Sequence, residues 1–287
     1  MQWLPETSNR TQALTSHPVA CLKPAPSPRI AEDIRLGELA FNSPALLGGQ
    51  AEKKGLSCGS CHQNGRGNES FQFEAVSGLP GTADVTSGLF SKVRADNTFN
   101  PLPIPDLATA DGSDQVNRTD RTALAIFVRG QIEEEFSGDP PPEPVFAALL
   151  TYLAYIDGAA SECDLAARAP RTWQQDWADA RLAAEQAGRS DNAAGKTFYT
   201  RTARIALRRI YERYSAPEHA AIGAELIAIS RDLAAGQGWP EQTDELTARL
   251  EDTAKTSLYT PDALSKALAL TKAVDHFDRA SQRYGKN

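Results

Sequence analysis

One methionine, four histidines and four cysteines among 287 residues leave this chain few of the usual metal and redox ligands. Four cysteines are too few for a scaffold built on disulfides. No run approaches the ~18 consecutive apolar residues of a membrane-spanning helix, so no membrane span is expected. Basic charge is also short. Lys and Arg number 30 against 37 Asp and Glu, a formal net charge of −7, with a pI of about 5.2. That balance argues against a nucleic-acid partner. The amino-terminal stretch MQWLPETSNRTQALTSHPVACLKPAPSPR lacks the basic start and apolar run of a secretory signal. Residues 164–287 carry no Gly-rich phosphate loop, zincin motif or nucleophile elbow. What is present is ordinary globular chemistry, 41% hydrophobic and 23% charged residues, which excludes wholesale disorder and collagen-like repetition.

The length is a prior for two domains at ~150 residues each. Charge and composition divide the chain in the same way. Residues 1–163 hold 12 Lys and Arg against 20 Asp and Glu, a net of −8. Residues 164–287 hold 18 against 17, a net of +1. Most prolines precede residue 145, and the last hundred or so residues are rich in Ala, Leu, Arg and Glu. The organisation expected is a strap over 1–29, a first domain over 30–163 and a helical bundle over 170–287. Pro18, Pro24, Pro26 and Pro28 oppose helix in the strap. Periodicity predicts helices over 31–41, 121–136 and 143–157, then over 171–188, 193–214, 217–235, 240–257 and 261–283. Asp191, Ser215 and Thr260 stand where N-caps belong, and Pro217, Pro240 and Pro261 suit first turns. Between 43 and 120 there is little periodicity, and so long an irregular stretch needs something else to organise it. The fold class expected is all-α, the second unit an antiparallel bundle.

Residues 58–62 read Cys-Gly-Ser-Cys-His. This C-x-x-C-H is the attachment signal of a c-type haem. Two thiols three positions apart, on a turn entering a helix, can reach two vinyl groups on one porphyrin. The imidazole that follows is carried beneath the ring, where it can bind iron. A covalently held apolar disc would supply the core that residues 43–120 lack. The competing readings are a zinc half-site and a redox disulfide. Zinc needs two more ligands, yet neither Cys nor His occurs between Gln63 and Glu162. A thioredoxin-like motif sits on a βαβ pattern, and that pattern is absent. Cys58 and Cys61 are therefore read as thioether anchors of one haem c, and His62 as the proximal iron ligand.

The segments LGELAFNSPALLGG (36–49) and GLSCGSCHQNGRGN (55–68) carry a resemblance. They are similar to the first haem domain of the bacterial dihaem cytochrome c peroxidase and methylamine-utilisation (MauG-type) family, in which a Leu-Gly-x-x-Leu-Phe helix precedes a Ser-Cys-x-x-Cys-His stretch. The resemblance covers roughly residues 30–157 and none of the later unit. It implies a cytochrome c fold and export to the periplasm or beyond, with the export signal absent from this chain. That family carries a second C-x-x-C-H domain, and its peroxidase members have a distal or displaceable histidine. This chain has one such motif and no histidine between His62 and His219.

Met opposite His is the common ligand pair of electron-transfer cytochromes, but Met1 is the only methionine. His17, on the strap, is the alternative sixth ligand, and a disulfide between Cys21 and Cys163 would tether that strap by closing a loop of about 140 residues. His219 and His276 fall on predicted helices and read first as solvent or core residues. Lys92, Tyr152 and Tyr155 are further candidates, and Asn97–Leu107 is expected to cross the distal face. The reading carried forward is an open or weakly held sixth position. Arg201, Arg204, Arg208, Arg209 and Arg213 crowd one predicted helix, as a solvated face or a dock for an acidic partner. Glu133, Glu134 and Glu135 offer such a partner within the chain. The function expected is periplasmic single-electron transfer with a redox partner protein. The alternatives are a peroxidase-like enzyme or a gas or redox sensor, for which Gln131 and Glu134 are acid/base candidates.

Overall fold

The computed structural model describes residues 20–108, 118–157, 171–214 and 217–256, without the side chains of 254–256. Met1, His17, Cys163, His276 and the predicted helix over 261–283 lie outside the described residues, as do Ser215, Thr260 and Pro261.

The described residues are predominantly helical. In chain order the helices are α1 (Pro28–Phe41), α2 (Gly49–Lys53), α3 (Cys58–Cys61), α4 (Arg121–Arg129), α5 (Glu143–Tyr155), α6 (Trp173–Arg189), α7 (Ala193–Arg213), α8 (Ala220–Ala234) and α9 (Asp244–Thr256). This agrees with the all-α expectation, and the strand content is one short pairing. Strands β1 (Thr82–Ala83) and β2 (Leu102–Pro103) pair antiparallel, Thr82 opposite Pro103 and Ala83 opposite Leu102. The pairing is short because Pro103 has no N–H to extend it.

Side-chain caps account for the start of the first helix and correct the predicted cap of α7, which begins at Ala193 as expected. Helix α1 begins at Pro28, inside the segment expected to be extended. Ser27 is its N-cap, its Oγ accepting from Ile30 N at 3.3 Å. Proline is tolerated in a first turn because its missing N–H would be unpaired there anyway. Helix α7 is capped by Asn192, not Asp191, the Asn192 side chain accepting from Gly195 N at 2.7 Å. Pro217 does open a short 3-10 turn over Pro217–His219, whereas Pro240 precedes α9 by several residues.

The first part is organised by α1 lying against α5. Gly37 makes the crossing close: a Cβ there would run into the Ala148 carbonyl and stand 2.6 Å from Tyr152 Cβ. The Phe41 and Tyr152 rings meet just beyond, 5.2 Å between centroids. Helix α4 continues into a π turn over Gly130–Glu135. The wider turn brings Ile132 and Glu135 together onto the buried side.

Helices α6 and α7 pack along their lengths, joined by only Ser190–Asn192, a link that forces them antiparallel. The expected apolar stripe of α7 is buried at Ala203, Leu207, Ile210 and Tyr214, while Tyr211 is exposed. Helix α8 buries Leu226, Ile229 and Leu233, and α9 buries Leu246 and Leu250. The apolar core is continuous from α1 and α5 through α6 and α7 to α9. Polar contacts also cross between the two parts. Ser43 and Thr202 share a buried hydroxyl–hydroxyl bond of 2.7 Å, and Arg209 donates to the Asn42 carbonyl at 2.9 Å.

The arginines of α7 do not form one free face. Arg201 Nε donates to Glu52 at 3.1 Å, and Arg204 Nε to Ser230 Oγ at 3.2 Å. Arg208 pairs with Glu212, while Arg209 and Arg213 converge on Asp176. The expected acidic partners face elsewhere, Glu133 toward Arg129 and Glu134 and Glu135 toward Arg94. Charge complementarity is thus local, as short-range screened pairs favour. Among the described residues no helix is long and apolar enough to cross a membrane.

Candidate functional site

The Cys58–Cys61 turn is built to present its side chains. Ser57 N donates to Ser60 Oγ at 3.0 Å at its start, and Asn68 Nδ2 donates to the Ser60 carbonyl at 2.8 Å near its end. A Cβ on Gly59 would strike the Asn42 side chain, so the turn sits directly against the end of α1. Residues three apart on a helical turn share a face, which places the two thiols together. The chain leaves helical geometry at His62 (φ −111°, ψ 64°). Asn64 and Gly65 then take positive φ, and Gly65 has Ile156 against it, where a Cβ would lie 3.1 Å from the isoleucine side chain.

Both thiols are half-buried, and loss of solvent holds them protonated. Burial pushes Cys58 up to about 12, and Cys61 higher still, with the neighbouring Cys58 and Glu135 adding to the effect. A thiol kept protonated is a poor nucleophile and a poor metal ligand.

His62 Nδ1 lies 3.0 Å from the carbonyl oxygen of Pro105. A carbonyl only accepts, so Nδ1 carries the proton. Desolvation lowers the imidazole to about 4, only partly opposed by the Pro105 bond and the Asp106 charge. The ring is therefore neutral at pH 7, and its Nε2 keeps a lone pair. The Asn97–Leu107 loop supplies this carbonyl through Pro105. The β1–β2 pairing and the bond from Ile104 N to the Gly81 carbonyl, 2.9 Å, anchor it there.

Two further groups stand near the thiols. Glu135 is only 4% exposed, and burial raises its carboxyl to about 7 although Arg94 lies 3.3 Å away. Tyr152 is fully buried on α5, its hydroxyl without a hydrogen-bond partner among the described residues. Burial raises its pKa, and the charges of Glu38 and Cys58 act in the same direction. Tyr152 thus belongs to the core beside Cys58. Pro105 and Glu135 escaped the sequence reading as neighbours of the motif. The stiff Pro101, Pro103, Pro105 spacing was the available hint.

The other candidates lie apart. His219 is half-buried and meets the Tyr214 ring edge-on at 5.7 Å. Lys92 is exposed, its backbone N donating to Ser137 Oγ at 3.0 Å. Tyr155 is half-buried and gives its carbonyl to Lys23 N at 2.8 Å. Cys21 is buried, but its expected partner Cys163 lies outside the described residues. Gln131 is half-buried and Glu134 exposed on the π turn. Among the described residues no three or more His, Cys, Asp or Glu side chains are grouped to hold a metal ion on their own.

No protein-family model, curated protein or solved structure matches this chain.

Proposed function

We propose that the chain is a monohaem c-type cytochrome that passes single electrons outside the cytoplasm, in the periplasm of a bacterium. Cys58 and Cys61 hold the haem as thioethers, and His62 binds its iron through Nε2. Residues 30–157 form a cytochrome c-like domain, and the helices that follow form an antiparallel bundle docked on it. The observation that carries this reading is the bond from His62 Nδ1–H to the Pro105 carbonyl. It commits one ring nitrogen as a donor and leaves the other as a lone pair, beside two neutral thiols. A histidine that ligates iron needs its second nitrogen held in this way. Among the described residues no third and fourth ligand is grouped with these thiols as a zinc site needs.

Bound haem iron supplies a one-electron ferric–ferrous couple, whose potential depends on axial ligands, hydrogen bonding and burial. The chain's own part is to orient and to exclude water. Pro105 fixes the ring plane and tautomer of His62. The α1–α5 crossing, with Phe41 and Tyr152, closes the core behind Cys58. With a single methionine, at position 1, the sixth position of a bound iron would be open or weakly held. The partner is a redox protein.

The test is production with an export signal in a host that matures c-type haem. A red protein whose haem stays attached in denaturing gels, and is lost in C58A/C61A, is the expected result. A colourless wild-type chain overturns the reading. Carbon monoxide and EPR then separate the alternatives. A low-spin iron inert to carbon monoxide marks a carrier, and a high-spin iron that binds it promptly marks a peroxidase-like enzyme or sensor.

A further inference from the structure

Behind the Pro105 carbonyl stands a charged clamp with no role yet assigned. Arg66, four residues after His62, places Nε 2.7 Å from Asp106 Oδ2, and both side chains are largely buried, at 13% and 22% exposure. Asp106 is the residue next to Pro105. Its other oxygen accepts from Ala108 N at 2.8 Å, which folds the chain tightly just after the proline. The charge of Arg118 also acts on Asp106, and Arg118 Nη1 donates to the Ile156 carbonyl at 3.0 Å, at the end of α5. On the opposite side, a Cβ at Gly67 would stand 3.2 Å from the Ile104 carbonyl, so the chain after the motif and the Pro105 loop lie in contact. Asp106, the residue after the Pro105 carbonyl, is thus held from the motif side by Arg66, and the charge of Arg118 reaches it from the end of α5.

We propose that Arg66 and Asp106 are positioning residues for the iron ligand: their ion pair holds the Pro105 carbonyl at hydrogen-bond distance from His62 Nδ1 and thereby sets the donor strength of Nε2. The inference rests on the reading of His62 as a haem ligand. A firm Nδ1–H···O=C bond gives the imidazole partial imidazolate character and makes it a stronger donor. A stronger donor favours ferric iron and lowers the potential. Loosening the carbonyl weakens that donation and raises the potential.

Substitution separates this from a simple charge effect. Arg66→Gln removes a positive charge, which by Coulomb's law alone would favour ferric iron and lower the potential. Loosening of the carbonyl raises it instead. Arg66→Lys keeps the charge and loses the planar guanidinium, so a charge effect predicts no change and positioning predicts a rise. The experiment measures midpoint potentials of the haem-loaded wild type, R66Q, R66K and D106N. It also measures solvent exchange of the His62 Nδ1 proton by NMR. The expected result is a rise in all three variants, with the ferrous-to-ferric ratio at fixed potential shifted roughly tenfold in R66Q, equal to about 59 mV for one electron. Nδ1 exchange should quicken in the same variants. A fall in R66Q, an unchanged potential in R66K, or unaltered Nδ1 exchange overturns the inference and leaves the haem reading standing. A wild type that carries no haem overturns both. Where D106N fails to fold, the two Arg66 variants decide alone, with helical circular dichroism and haem content as their folding controls.

Discussion

Glu135 shows how single residues carry the site's tension. Its carboxyl is buried and titrates near 7 against an ordinary 4.5, because burial outweighs the attraction of Arg94. The folded state therefore holds a proton on Glu135 that the unfolded chain has lost across that interval. This contribution favours folding, is fully present below pH 4.5, and disappears as pH rises through 7. Glu135→Gln removes the titration while keeping the shape. Thermal melts should show the variant gaining on the wild type as pH is raised from 4.5 to 8, by about 1–3 kcal/mol. A gap between the two proteins that does not change with pH would contradict the assignment. The three residues of the motif were legible from sequence because their chemistry is local, five positions in a row. Pro105 meets His62 from 43 residues away, a distance at which no spacing rule operates. Glu135 arrives from farther still, turned inward by a π turn that ordinary helical periodicity does not describe.

Helix crossings form the next level, and the α1–α5 contact depends on one absent side chain. Gly37 is buried, and the space for its Cβ is taken by the Ala148 carbonyl and by Tyr152 Cβ at 2.6 Å. Backbone cannot swing aside as a flexible side chain can. Gly37→Ala should part the helices, at a cost of about 3 kcal/mol despite alanine's better helix propensity. Chemical denaturation measures this, and a neutral or stabilising result would mean that α1 does not seat here. The same change should loosen Cys58, since Gly59 abuts Asn42 at the end of α1. Helices α1, α5, α6, α7 and α8 were legible because each carries an apolar stripe and a recognisable start. Their first residues were less so. Ser27 starts α1 three positions early and Asn192 displaces Asp191 by one, and only the hydrogen bonds they make distinguish them from a proline-rich strap or from Asp191. The β1–β2 pairing, two residues on each side, is below what alternation can reveal.

For the whole molecule, composition suggests two parts, yet the strongest polar contacts tie them together. Asp176 of α6 is completely buried, with Arg213 at 3.3 Å, Arg171 at 3.6 Å and Arg209 at 3.7 Å. Arg209 also reaches the Asn42 carbonyl, so this cluster ends at the residue that seats the Cys58 turn. Glu38 of α1 joins from the other side: burial raises its carboxyl, while the Arg171 charge draws it down. Asp176 thus joins three guanidiniums at the junction of α1, α6 and α7, with Asp179 as a second carboxylate on Arg171. Removing Asp176 takes the carboxylate away from the buried Arg209 and Arg213, the costly way to break a buried ion pair. Asp176→Ala should therefore destabilise the full chain by about 3–5 kcal/mol. Thr202→Val, which leaves Ser43 without its partner, should cost about 1–2 kcal/mol. Because the core is continuous across the junction, both variants should lower the melting of both parts together. Calorimetry should give one cooperative transition, and tryptophan emission should follow it, since Trp173, Trp177 and Trp239 all lie in the second part. If D176A instead split melting into two steps, with the Cys58 region keeping its wild-type stability, the bundle would be an independent neighbour and not a support for the site.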